Sequence, residues 1–278
     1  MSTDILQSLI DESVSRRHSR TEAPLAELEK QFVTEESVSE RCKVRLSDIV
    51  LEESVREEIR LLIDEHLMRE TLSQGGLRMR KRVLLVGSPG NGKSTVARVI
   101  ADELDLVLRR ARFDKAVNKS NENTQALVRD ICGGHLSGGK AIHLQGLEFA
   151  QTDSDIRAVM EAIPQRIPCG IVLMTINGSS SALKSNIQRC ADDVIEIPPP
   201  GIIQCEEALK LKIPQPVHNN IYSWKALAEL AQGLSFDEVT RAAEVVEKRL
   251  LLYGSEAVSQ EQIQSILHGR NIRARPFG

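Results

Sequence analysis

The stretch VLLVGSPGNGKSTVARVIADEL, residues 83–104, constrains this chain more than any other. An apolar run suited to a buried strand ends at Gly87, and an amphipathic helical pattern opens at Lys93. Between them the residues match G-x-x-x-x-G-K-[ST] from Gly87 to Ser94. Gly87, Gly90 and Gly92 let the backbone curl, so that the N–H groups of a loop made with Ser88, Pro89 and Asn91 converge on one point. The helix through Ser94 and Thr95 adds the positive end of its dipole. Such a loop binds phosphate. Lys93 supplies a charge for the β- and γ-phosphates, and the Ser94 hydroxyl is the metal-facing group, for Mg²⁺. With no ligand bound, Lys93 is expected to face solvent.

Around this loop the pattern is that of a parallel sheet. VLLVG, LVLRRA, AIHLQ, GIVLMTIN and DVIEIPPP are apolar runs separated by helical stretches, which predicts an α/β fold with five parallel strands and helices on both faces. After PPPG the strand pattern stops. CEEALKLKI, SWKALAELAQG, FDEVTRAAEVVEKRLLLYG and SQEQIQSILHG all read as helices, a small all-helical domain. The expected organisation is a helical N-terminal segment at 1–44, a nucleotide-binding α/β domain at 45–200, and a helical lid with a basic tail at 201–278. The first segment carries two amphipathic patterns, DILQSLIDESV and PLAELEKQFV, which serve either as a docking arm or as packing onto the chain's own body. In LSDIVLEESVREEIRLLIDEHL, Ser47 or Asp48 is the expected cap, and Val55, Ile59, Leu62 and Ile63 share one helix face.

Composition excludes several classes. A net charge of −3 over 278 residues argues against a broad nucleic-acid-binding surface. The five cysteines show no metal-ligand spacing, which suits thiols in a reducing compartment. No apolar stretch reaches membrane-spanning length, and the N-terminus lacks a secretion signal, so a cytoplasmic location is expected.

The order of features after the phosphate loop resembles the AAA ATPases, in a small bacterial form, over about residues 45–250. GIVLMTINGSS is similar to the family's sensor strand, which makes Asn177 the polar residue facing the γ-phosphate. SNIQRCADDVIEIPPPG is similar to the segment that carries the arginine finger, with Arg189 as the finger. AQGLSFDEVTRAAEVV resembles the lid helix near the nucleotide. The resemblance implies ATP and Mg²⁺ as cofactors and a homo-oligomer in which Arg189 reaches a neighbouring subunit.

Three departures follow. In the family the third sheet strand ends in Asp-Glu, the Asp holding the Mg²⁺ shell and the Glu activating water. AIHLQGLEFA puts Gln145 and Gly146 at those places, a degenerate Walker B segment. An amide is a poor substitute for a carboxylate beside Mg²⁺, and a positioned general base is worth about a hundred- to ten-thousand-fold in rate. Glu148, about 6–7 Å further along an extended chain, is either the rescuing acid or a loop acid; Asp153 and Asp155 are the next candidates. Second, the loop that grips threaded protein in many relatives has Lys119 where an aromatic is usual, which argues against an unfoldase. Third, the lid offers Ser235, Phe236 and Asp237 where some relatives have an arginine, the next being Arg241.

Three functions compete. The first is a nucleotide-switch ATPase that binds ATP, assembles, and hydrolyses slowly. Its partner is a protein, a subtilisin-like peptidase being one class suggested by small bacterial relatives. The second is a DNA-associated regulator of the transposition-helper type, supported by Arg78-Met79-Arg80-Lys81-Arg82 and the tail HGRNIRARPFG. The third is a nucleotide-gated scaffold with no turnover.

Overall fold

The computed structural model describes residues 33–36, 43–112, 139–147, 170–180, 185–219, 221, 223–254 and 258–274. The apolar runs become the parallel strands β2 (Arg82–Gly87), β3 (Val107–Arg112), β4 (Lys140–Gln145), β5 (Ile171–Asn177) and β6 (Asp193–Glu196). Residues of β2, β4 and β5 are buried almost throughout, as a sheet covered on both faces requires. Strand β1 (Val33–Glu36) joins the far edge antiparallel to β3. A wholly helical N-terminal segment therefore needs correction: Val33, the last residue of PLAELEKQFV, begins a strand, where β-branched Val33 and Thr34 suit a pleated edge. Residues 1–32 lie outside the described part.

The strand order is β1-β3-β4-β5-β2-β6. The chain leaves β2 for β3 on one side and later returns to its other side as β6, so the topology switches at β2. Ligand crevices form at such points, outside the carboxyl ends of the strands. The phosphate loop stands there.

Helix α1 (Glu53–Leu67) buries Val55, Ile59, Leu62 and Ile63, the face predicted from spacing. Its start differs from expectation. Asp48 accepts from the Arg45 N–H at 2.7 Å and closes a 3-10 turn at Leu46–Asp48, while α1 begins after Glu52 without a side-chain cap. Helix α2 (Arg69–Gln74) follows, and α3 (Lys93–Glu103) packs beneath the sheet. Buried Asp102 accepts from the Val44 N–H and Glu103 accepts from the Leu46 N–H, while the Arg56 guanidinium donates to the Leu46 and Ile49 carbonyls. These bonds lay residues 44–51 along the phosphate-loop helix.

Arg80 pairs with Glu65 and Asp193, and Arg82 with Asp192. Burial of Asp192 opposes its ionisation, yet the Arg82 guanidinium and two backbone N–H donors hold its carboxyl below the usual range. Two of the arginines in the 78–82 cluster thus tie α1 and β6 to the start of β2.

A second apolar cluster lies beyond β6. Helices α5 (Ile202–Lys212), α7 (Trp224–Ala231), α8 (Phe236–Tyr253) and α9 (Gln260–Ala274) surround Leu209, Leu227, Val239 and Leu267, with the short α6 (Gln215–His218) between α5 and α7. Helix α4 (Ser185–Cys190) precedes β6. Cys205 is buried in the second cluster, where desolvation pushes its thiol up to about 11, an inert packing thiol. Among the described residues no helix is long and apolar enough to cross a membrane.

Candidate functional site

A cavity of about 680 Å³ opens at the carboxyl ends of β2, β3, β4 and β5, within the range of small-molecule sites. The phosphate loop forms its floor. Gly87, Gly90 and Gly92 all have positive φ, and at Gly90 (φ 82°) an added Cβ would lie 2.7 Å from the Ser235 Oγ. The loop is braced from below by Asn91, whose Nδ2 donates to the Ile197 carbonyl at 3.2 Å.

Lys93 is buried rather than solvent-facing, correcting the expectation from sequence. Its Nζ donates to the carbonyls of Gly87 and Ser88, each at 2.8 Å. A buried ammonium must find partners, and these carbonyls are two of them. Ser94, Thr95 and Pro89 line the cavity, as does Asn177 at the end of β5, in register with Gly87 of β2.

The end of β4 shows a directed set of hydrogen bonds. The Thr175 hydroxyl donates to the Leu144 carbonyl at 3.5 Å, and the His143 Nε2 stands 3.1 Å from that hydroxyl oxygen. The Gln145 Nε2 lies 3.4 Å from the His143 Nδ1 and 3.3 Å from the Ser94 Oγ. Complete burial drives the His143 pKa down to about 3, and the nearby Arg110 charge adds to this, so the ring is neutral. A neutral ring has one donor and one acceptor nitrogen. With Thr175 donating elsewhere, Nε2–H donates to Thr175 and Nδ1 accepts from Gln145. The Gln145 amide therefore turns an N–H toward Ser94. Gly146 follows with φ 75° and lines the cavity.

Several lining groups escape a reading of the sequence. Arg112 sits at the end of β3 directly in register with Gln145, and Lys212 enters from the end of α5. A register argument on LVLRRAR could find Arg112; Lys212 depends on how the helices pack and has no local signal. Phe236, Asp237 and Thr240, from the start of α8, close the cavity from above. That turn is held by Ser235, whose hydroxyl accepts from the Glu238 N–H while Glu238 reaches back to the Ser235 N–H. Asp237 pairs with Arg241 at 2.9 Å. A smaller cavity of about 130 Å³ lies alongside, between Ile49, Val50, Leu211 and Phe236, with buried Asn91 at its edge. Its walls suit a flat apolar ring.

Arg189 is exposed on α4 and is not among the residues lining the cavity. Glu148, Asp153, Asp155 and the Lys119 loop lie outside the described residues.

Residues 83–176 match the family model described as "ATPase family associated with various cellular activities (AAA)". The chain is 24% identical over 233 residues to an uncharacterized AAA family ATPase of Sinorhizobium fredii, covering 80% of this chain and 69% of that one. It is 36% identical over 99 residues to a proteasome-activating nucleotidase of Aeropyrum pernix, covering 34% of this chain but only 23% of that protein. The fold is similar to that of C. elegans PCH-2, with a TM-score of 0.62 at 15% identity, over 82% of this chain and 70% of that one. The phosphate loop and almost all of strands β2 to β5 fall within the matched residues, so residues 83–176 form a domain of the AAA family of ATPases.

Proposed function

We propose that this protein binds ATP between its α/β and helical parts, uses the bound nucleotide to drive assembly with further copies of itself or a protein partner, and hydrolyses ATP slowly when alone. The observation that carries this reading is the end of β4, where Gln145 and Gly146 face a complete phosphate loop. Lys93, Asn177 and the loop's N–H groups receive the phosphates, and Arg112 and Lys212 add positive charge at the same cavity. The smaller cavity takes the base. Asn91 supports adenine there, because its buried Oδ1 has no hydrogen-bond partner in the structure and would accept from an exocyclic amino group.

Mg²⁺ would arrive on the phosphate oxygens, with the Ser94 hydroxyl the protein group placed to reach it. The donor set does not otherwise fit a held cation: Gln145 presents N–H to Ser94, and the sole carboxylate among the described cavity residues, Asp237, is paired with Arg241. Slow hydrolysis follows from Gly146, which has no side chain to polarise water. Assembly is supported by Arg189, exposed and away from its own cavity, and by the end of α8, where Leu251, Leu252 and Tyr253 are 78%, 71% and 70% exposed. We take a second copy of this chain as the first occupant of that surface, with a peptidase as a candidate external partner.

The test is ATP affinity of the parent and Lys93→Ala, with turnover measured in parallel. Parent binding with a slow rate, and loss of tight binding in the variant without loss of fold, is the expected result. Equal binding by the two proteins would end the phosphate-loop reading.

A further inference from the structure

We propose that this site grips nucleotide polyphosphate about as tightly without a divalent cation as with one, because Gln145 offers the phosphate end a hydrogen-bond donor where a metal-binding protein would offer an acceptor. The proposal rests on the nucleotide-binding reading above and concerns how the ligand's charge is met.

The reason lies in hydrogen-bond direction. The Thr175 hydroxyl donates to the Leu144 carbonyl, so its oxygen is left to accept from the His143 Nε2. The His143 Nδ1 then carries the lone pair and accepts from the Gln145 amide nitrogen. The second N–H of that nitrogen points to the Ser94 Oγ, 3.3 Å away. The positive end of the amide dipole therefore faces the position a cation bound to Ser94 would take. Turning the amide over would set its oxygen against the His143 lone pair. Relieving that contact means moving the histidine proton to Nδ1, which faces Nε2 with a hydroxyl that must give up Leu144 to donate in turn. The direction with Gln145 donating keeps every bond of the chain, whereas the reverse gives up the Thr175–Leu144 bond.

The charge around the cavity agrees. Among the described lining residues Lys93, Arg112 and Lys212 are the cations, and the one carboxylate is engaged by Arg241. Three protein cations and a donor amide can meet a polyphosphate directly. An N–H of Gln145 released from Ser94 reaches a phosphate oxygen with the strength of a bond to a charged acceptor.

Titration calorimetry of the full chain with ATP, in excess Mg²⁺ and separately in EDTA, tests this. The expected result is a dissociation constant that changes by less than about three-fold between the two; a loss of about ten-fold or more in EDTA overturns the proposal. Gln145→Leu removes the donor and keeps the bulk. It should weaken ATP binding in EDTA by about ten-fold, as loss of a bond to a charged group implies, and unchanged binding overturns the proposal. Gln145→Asp should acquire a Mg²⁺ requirement of about ten-fold or more, since its carboxylate repels bare phosphate; an Asp variant that binds equally in EDTA also overturns it. Absence of binding by the parent in both buffers is a different failure: it removes the nucleotide-binding reading, and this proposal with it.

Discussion

The backbone N–H of Asp237 donates to the carbonyl of Gly90 at 3.0 Å, joining the first turn of the lid helix α8 to the phosphate loop. The contact is tight: a Cβ at Gly90 would stand 2.7 Å from the Ser235 Oγ, 3.0 Å from its Cβ and 3.2 Å from the Asp237 Cβ. Loop and lid therefore move together at this point, and a change in loop shape on binding phosphate reaches α8 directly.

Gly90→Ala should break that coupling. The left-handed φ of 82° costs a non-glycine residue about 1–2 kcal/mol, and the overlap with Ser235 and Asp237 adds a further penalty of about 1–3 kcal/mol if neither side yields. Denaturant unfolding should show a loss of about 2 kcal/mol or more, the sum of the lower ends of those two penalties. Calorimetry should show weakened ATP binding, because the easiest escape is for α8 to lift off the cavity. A variant as stable as the parent would mean that loop and lid are not in this contact in solution.

The strands and the loop are legible in the sequence because their signals are local. VLLVG and GIVLMTIN are long enough to be buried strands and too short for helices, and the spacing of three glycines and Lys93 names a backbone shape. Arg112, Lys212 and the Gln145–His143–Thr175 chain are not legible. Each depends on register between strands distant in sequence, or on how α5 packs over the sheet. The burial of Lys93 is hidden for a related reason: sequence names a charge but not the carbonyls that enclose it, here those of the loop itself. Strand β1 is hidden because four residues at an edge carry too little pattern to stand out from the amphipathic run before them.

Arg189 provides a test of assembly. It is exposed on α4, outside its own cavity, while Ile187 of the same helix is buried. Arg189→Ala should leave ATP binding by the isolated subunit near the parent value and weaken ATP-dependent assembly. Light scattering with and without ATP measures this. Assembly that is unchanged would leave Arg189 as a solvated surface charge.

His143 makes stability depend on pH. Its folded pKa of about 3 lies below the ordinary 6.5, through burial first and then the Arg110 charge. Arg110 is itself pushed down, by burial and then by Arg98, with Asp102 acting the other way. Above about pH 6.5 the ring is neutral in both folded and unfolded chains, and its contribution is constant. As pH falls from about 6.5 toward 3, only the unfolded chain takes the proton, so stability is lost by up to about 1.4 kcal/mol per pH unit. Urea unfolding between about pH 7 and pH 4.5, a window that spans the onset of this loss, should show the slope in the parent, and His143→Gln should flatten it by about that amount. Equal slopes would mean that His143 is hydrated or already charged in the folded protein.

Restoring acids at the end of β4 tests the account of turnover. Gln145→Asp with Gly146→Glu should raise ATP hydrolysis by about ten-fold or more, the low end of a positioned base's usual worth discounted for surroundings that have adapted to an amide. Part of the discount is visible in the backbone: Gly146 has φ 75°, so a glutamate there must bear about 1–2 kcal/mol of strain or pull the strand end into a new shape. The Gln145→Asp change would also reverse the hydrogen-bond direction toward Ser94, a carboxylate accepting where the amide donates. Glu148→Gln in the parent separates the remaining source of turnover. If Glu148 is the working acid, that change removes the slow rate; if it is a loop acid, the rate is unaffected. A parent that hydrolyses ATP briskly and keeps its rate in Glu148→Gln would contradict the reading. An acid from Asp153, Asp155 or a neighbouring subunit would then be entering the site, and Gln145 would serve a purpose other than slowing the reaction.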